Sequence, residues 1–169
     1  PMKIECPAYG THLDFPEPPR RVVSFVSSAT ETLFALGCGD SVIGVTPYCS
    51  RYVENLSAPV VGDYLKADLQ ALKALKPDLV LVTLGIQTAF GRRMAQAGLP
   101  VYALPLPASR FGILENQMTL GGLMQRVPQA RALCNRMEAG FAGLMENAPK
   151  KRPRVYAELW FGQHLRTIE

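Results

Sequence analysis

Leu79 to Val82 form an uninterrupted apolar run, entered through Pro77-Asp78 and left through Thr83-Leu84-Gly85. A strand that is apolar on both faces needs cover on both, and a parallel sheet flanked by helices supplies it. The neighbouring segments alternate in the same sense. Arg21 to Val26 reads as a strand, Ala29 to Leu36 as a helix stopped at Gly37, and Val42 to Val45 as a second strand. Pro59 to Val61 is a minimal third strand, ended by Gly62-Asp63-Tyr64. Asp68 suits the N-cap of a helix carrying Leu69, Leu72 and Leu75. A helix from Gln87 to Ala97 stops at Gly98, and Val101 to Leu104 is the next strand. Strands alternating with helices over this length predict a parallel sheet with right-handed crossovers.

After Pro105-Leu106-Pro107 the alternation stops. Ser109 to Val127 and Pro128 to Asn147 both read as helical, with Val127-Pro128 a kink or a restart. In the second helix Ala130, Leu133, Cys134, Met137, Phe141, Leu144 and Met145 recur at spacings of three and four and make one apolar stripe. Arg154 to Leu159 returns to strand character and leads into Trp160-Phe161. A lone strand cannot make a core, so it reads as the first strand of a second lobe. The expected class is therefore α/β: an open parallel-sheet, Rossmann-like lobe, a long connecting helix, and the first strand of a second lobe. The expected division is 1–20, a proline-rich irregular arm; 21–108, the N-terminal α/β lobe; 109–149, an interlobe helical backbone; and 150–169, the start of a truncated C-terminal lobe.

Composition removes several functions. With 48% hydrophobic and 19% charged residues the chain is of ordinary globular type. Much of the +4 net charge lies in Lys150, Lys151, Arg152 and Arg154, a Pro-flanked cluster without interleaved aromatics. It reads as a solvated linker, and no nucleic-acid partner is expected. No apolar run is long enough to span a bilayer. Cys6, Cys38, Cys49 and Cys134 lack CxxC spacing, and His12 and His164 are far apart, so no metal site is expected. His164 reads as a loop histidine rather than a metal ligand. No GxGxxG follows a strand, and neither a phosphate loop nor a Gly-x-Ser-x-Gly elbow is present. No nucleophile sits beside a base, and no catalytic residue is assigned.

Ligands of open α/β sheets sit at the carboxyl ends of the strands. Ser27 and Ser28 follow the first strand, with Thr30 close behind and Glu31 three residues after Ser28, the spacing of a capping box. Tyr48 and Tyr52 follow the second strand and Tyr64 the third; Thr83 to Gln87 follow the fourth, and Pro105 to Ser109 the fifth. Aromatic rings, hydroxyls and one flexible glycine on a shared edge suit a large, partly apolar ligand.

VSFVSSATETLFALGCGDSVIGVT, then VVGDY, DLQALKALKPDLVLV, GLPVYALPLP and RVYAELWFG, resemble the cobalamin and iron-siderophore group of ABC-transporter substrate-binding proteins. The match runs from about Arg20 to Gly162, and the S-A-T-E helix start and L-K-P-D-L-V strand entry are its most diagnostic parts. The resemblance implies two α/β lobes joined by a rigid helix, with the ligand clamped between them. By that analogy Ser27, Ser28 and Ala29 line the cleft floor, and Tyr48 or Tyr52, together with Tyr64, lie against the macrocycle or chelate. Leu84, Gly85, Ile86 and Gln87 form the adjoining wall, and Trp160 and Phe161 belong to the edge of the second lobe. Three positions depart from the pattern: Gln70 stands where permease-docking members often carry an acid, Leu84 stands where an aromatic is common, and most of the second lobe is absent.

The implied function is capture of a corrinoid such as vitamin B12, or of haem or a ferric siderophore, for delivery to an ABC permease. No intrinsic cofactor and no enzymatic activity are expected. The exposed edge of the incomplete lobe is an expected dimerisation surface. The resemblance implies a periplasmic or cell-surface location; Met2 as the native start would imply a cytoplasmic one. Two other readings stay open: an intracellular corrinoid or tetrapyrrole sensor, and a chelatase-like cofactor-handling enzyme, for which Glu31 would be the titratable group.

Overall fold

The computed structural model describes residues 2–161 and 164–167, with side chains described through residue 157. In chain order the elements are β1 (Met2–Cys6), β2 (Thr11–Phe15), β3 (Val22–Ser24), α1 (Ser27–Ala35), β4 (Val42–Gly44), α2 (Leu69–Ala74), β5 (Leu79–Thr83), α3 (Thr88–Gln96), β6 (Val101–Leu104), α4 (Arg110–Leu123), α5 (Val127–Glu146), β7 (Glu158–Phe161) and β8 (His164–Thr167). The chain divides into two compact units, Pro1–Met137 and Glu138–Glu169.

The first unit is built on a four-stranded parallel sheet in the order β4-β3-β5-β6. All five residues of β5 are buried, as its apolar run requires. Leu79 and Leu81 point into one core with Ala29 and Leu33 of α1, Leu36 just past its end, and Leu120 and Leu123 of α4. Val80 and Val82 point into the other, with Leu72 of α2 and Phe90 and Met94 of α3. Phe25 joins that second core edge-on to Phe90, ring centroids 5.1 Å apart. The chain leaves β3 toward β4 on one side, then returns past β3 to β5 and β6 on the other. The direction of winding therefore reverses between β3 and β5, and that reversal opens a crevice at their carboxyl ends.

Local signals in the sequence set several boundaries. Asp68 Oδ1 accepts from the N–H groups of Gln70 and Ala71 and caps α2. α3 ends at Gly98, whose φ of +85° suits glycine. The third strand reduces to one parallel bridge, Val45 to Val60. The break before α5 is a restart: Arg126 N donates to Gly121 O and Gln125 adopts φ +53°. Ala130 and Cys134 are buried at the start of α5, and the Cys134 thiol donates to Leu114 O, whereas Leu144 and Met145 are exposed.

Two expectations are corrected. The first twenty residues are not an irregular arm: β1 and β2 form an antiparallel hairpin, Met2 opposite Phe15 and Cys6 opposite Thr11. The hairpin lies beside β6, where Thr11 Oγ1 donates to Val101 O and Ala103 N donates to Cys6 Sγ. Tyr9 Oη donates to Thr88 O, over a Gly91 that leaves no room for a Cβ. The prolines sit outside the two strands, in the turn and after β2, so they do not interrupt the pairing. In the second unit, residues 154–157 are not a strand; β7 begins at Glu158 and pairs antiparallel with β8. An extended segment becomes a strand only where a neighbour shares its hydrogen bonds, and β8 reaches Glu158–Phe161 alone.

Candidate functional site

The crevice at the β3–β5 reversal is a cavity of about 500 Å³, a size that suits a small-molecule ligand. Its floor is the turn from β3 into α1. The helix starts at Ser27 with Val26 as N-cap, and no side chain caps it. The expected Ser28–Glu31 capping box is therefore corrected: Ser28 already lies inside the first helical turn, and Glu31 is exposed on the cavity wall. The turn is secured from beneath instead. Thr30 Oγ1 donates to the buried Ser24 Oγ at 2.9 Å and lies 3.2 Å from Cys49 Sγ, and Ser24 Oγ donates to Val26 O at 3.0 Å. The first intrahelical bond runs from Thr30 N to Val26 O. The amides of Ser27, Ser28 and Ala29 precede it, at the positive end of the helix dipole and at the cavity surface.

The loop after β4 supplies Tyr48 and Tyr52, 42% and 58% exposed, to this wall of the cavity. The Arg51 guanidinium sits between them in sequence and 5.3 Å from the Tyr48 ring centroid. Tyr64 enters from the segment before α2, half-buried, and burial raises its phenol above the ordinary tyrosine value. Thr83 closes the end of β5, while Leu104 to Pro107 and Asn116, Gln117 and Leu120 of α4 complete the opposite side. Thr32 Oγ1 donates to Gln117 Oε1 at 2.5 Å, and Asn116 Nδ2 donates to Pro105 O at 2.9 Å, so α4 fixes both the helix wall and the proline rim.

Ser27, Ser28, Ala29, Tyr48, Tyr52 and Tyr64 are thus brought together around one cavity. Leu84, Gly85 and Ile86 follow Thr83 but are not among its lining residues. Gln87 is fully buried and lies beneath the wall rather than on it. Trp160 and Phe161 lie on β7, and their side chains fall outside the described residues. Arg51, Asn116 and Gln117 are lining residues that sequence reasoning did not single out. Arg51 lies inside the aromatic loop and could have been found there; Asn116 and Gln117 carry no sequence signal, because only the packing of α4 on α1 brings them to the site. Among the described residues no cluster of three or more His, Cys, Asp or Glu could hold a metal ion, and no helix is long and apolar enough to cross a membrane.

A parallel α/β lobe with an aromatic and hydroxyl-lined crevice at its switch point defines the class: an open-sheet α/β lobe whose crevice lies where such sheets place their ligands. The family model of the periplasmic binding proteins matches residues 22–166, and the chain belongs to that family. It is 30% identical over 164 residues to the cobalamin-binding protein of Halobacterium salinarum, a match covering 94% of this chain and 44% of that protein. The chain thus spans less than half the length of that curated relative. Its fold is similar to that of the periplasmic heme-binding protein RhuT from Roseiflexus sp. RS-1, with TM-score 0.71 and 21% identity over 85% of this chain and 56% of the other. The petrobactin-binding protein YclQ of Bacillus subtilis is likewise similar in fold, with TM-score 0.72 and 19% identity over 87% of this chain and 53% of that one.

Proposed function

We propose that this chain provides the N-terminal, ligand-contacting lobe of a non-enzymatic solute-binding protein that captures a corrinoid or related metal chelate for an ABC importer. The observation that carries the reading is the crevice itself. Two exposed tyrosines, a third half-buried one and an uncapped helix start converge on about 500 Å³ at the sheet's switch point. Aromatic faces suit the planar, partly apolar body of a macrocycle, and free amides suit its polar or anionic substituents. Relatives named for cobalamin, heme and petrobactin binding support the ligand class.

In this reading Ser27, Ser28 and Ala29 form the floor, Tyr48, Tyr52 and Tyr64 stack on the ligand, and Leu84, Gly85 and Ile86 border the wall. Residues 21–108 form the lobe, 109–149 the connecting helical backbone, and 150–169 the start of a second lobe. The proposed location is the periplasm or the cell surface. Calorimetric and spectral titration of the protein with cyanocobalamin, hemin and a ferric siderophore tests the proposal. Saturable heat with a shifted absorption band for one of them is expected; no response to any would reject the ligand class.

A further inference from the structure

We infer that Gln87 is the positioning residue of this crevice, a buried amide that holds the Tyr64 segment against the two central strands and so sets where the Tyr64 ring meets a ligand. The inference rests on the reading of the crevice as the ligand site. Gln87 is 0% exposed. Its Oε1 accepts from Thr83 N at 2.9 Å, at the end of β5. Its Nε2 donates to Phe25 O at 3.0 Å, just past the end of β3, and to Tyr64 O at 2.8 Å. Three of its four hydrogen-bonding sites are therefore used, and each goes to a different piece of backbone around the reversal. Phe25 and Thr83 already belong to the sheet, with Phe25 N bonded to Leu81 O. The segment carrying Tyr64 reaches the sheet upstream, through the bridge of Val60 to Val45 and the bond from Val61 N to Val45 O, and at Tyr64 itself the amide fastens it.

The rest of that segment is organised to accept such a fastening. Asp63 Oδ1 accepts from Leu65 N and Lys66 N at 2.8 and 2.7 Å, and Asp63 N donates to Lys66 O. A bridge joins Gly62 to Ala67, and a Cβ on Gly62 would lie 2.6 Å from Lys66 O. The turn is thus internally rigid, and it is held to the rest of the lobe by the Val45–Val60 bridge before it, by Arg93 Nη2 donating to Leu65 O at 3.5 Å, and by the buried Gln87 bond at Tyr64 itself. A ring on a rigid turn with a buried anchor beside it is preorganised: the cost of ordering it is met on folding, before any ligand arrives.

The test compares Gln87→Leu and the milder Gln87→Asn with the unaltered protein, using amide exchange and titration with cyanocobalamin and hemin. Far-UV circular dichroism selects the variants that fold; Gln87→Asn, one methylene shorter, keeps a polar group in the site if Gln87→Leu does not. The inference predicts that exchange of the Thr83 amide, which loses its acceptor, and of the Val61 amide, which bonds the segment to Val45 O, accelerates by about tenfold or more while Val80 to Val82 keep their protection. It also predicts that affinity for the probe that binds falls by about tenfold, and that adding Tyr64→Ala lowers it no further than Tyr64→Ala alone. Unchanged exchange at Val61 and Thr83, or independent and additive effects of the Gln87 and Tyr64 changes on affinity, would overturn it. Exchange needs no ligand. A protein that binds neither probe therefore rejects the ligand class, while the anchoring by Gln87 is still decided.

Discussion

Two strand-to-helix turns stand side by side at the reversal of the sheet, and they are finished in opposite ways. After β3, the turn into α1 is pinned from below by Ser24 and Thr30 and left without a side-chain cap on its cavity side. After β5, the turn into α3 is closed: Gln87 takes the Thr83 N–H, and Thr88 Oγ1 accepts from Gly85 N at 2.9 Å. Both turns occupy the position where α/β proteins bind ligands. One keeps its backbone donors available, and the other spends them on its own side chains, while the Gln87 amide anchors Tyr64. A strand's carboxyl end is therefore not a binding surface by position alone. It becomes one where the hydrogen bonds of the turn are satisfied from the core side.

The contrast breaks most visibly at Gln87. Gln87→Leu leaves the Thr83 N–H and the Phe25 carbonyl buried without partners, and urea titration should show a loss of about 2–4 kcal/mol in stability. A loss under about 0.5 kcal/mol would mean that the second turn is not held by this amide. Next in size, Tyr64→Ala should weaken binding of the chelate that proves to bind by about 1–3 kcal/mol with a smaller effect on folding; unchanged affinity would remove Tyr64 from the site.

Ser27→Pro sharpens the comparison from the open side. Ser27 is the first helical residue and Val26 is extended at φ −125°, ψ 112°, so proline fits the fold while deleting one cavity-side N–H. Stability should change by less than about 1 kcal/mol, and ligand affinity should fall by about 1 kcal/mol. Thr88→Ala is its counterpart in the closed turn, expected to cost about 1 kcal/mol of stability and to leave affinity unchanged. An affinity loss for Thr88→Ala equal to that for Ser27→Pro would erase the distinction.

The smallest effect concerns the Tyr64 phenol. Burial raises it above the ordinary value of 10.0, so the unfolded chain ionises first as pH rises. Its contribution to stability is complete below pH 10 and is lost as pH climbs through the higher folded value. Denaturant titrations from pH 9 to 11 should show a decline that is shallower in Tyr64→Phe; identical slopes would place the ring in a more solvated setting than the structure does.

Patterns that act over a few residues were legible. The apolar run at Leu79–Val82, the Asp68 cap and the Gly98 stop act locally, and each appears where the residues require it. The hairpin at Met2–Phe15 was hidden because each strand has five residues and prolines cluster around them; its pairing is decided by the flank of β6, which buries Leu13 and Phe15 in the common core. The capping box had the right spacing, yet the buried Ser24–Thr30 bond accompanies a helix that starts two residues earlier than the box needs. Gln87 was legible as a residue of the working edge, but its side-chain direction was not.

By itself, then, the sequence determined the alternation of strands and helices, the parallel sheet that this alternation demands, and the edge on which tyrosines and hydroxyls gather. Those follow from periodicity, capping and chain connectivity, all of which act within a few residues or through the handedness of a crossover. Tertiary structure decided which donors on that edge stay open, which are consumed, and that Arg51 and Gln117 share the cavity with Ser27 and Tyr64. Hydrogen bonds between residues 62 and 85 positions apart, Gln87 to Phe25 and Thr32 to Gln117, make those choices. Such bonds exist only once the sheet has brought their ends together.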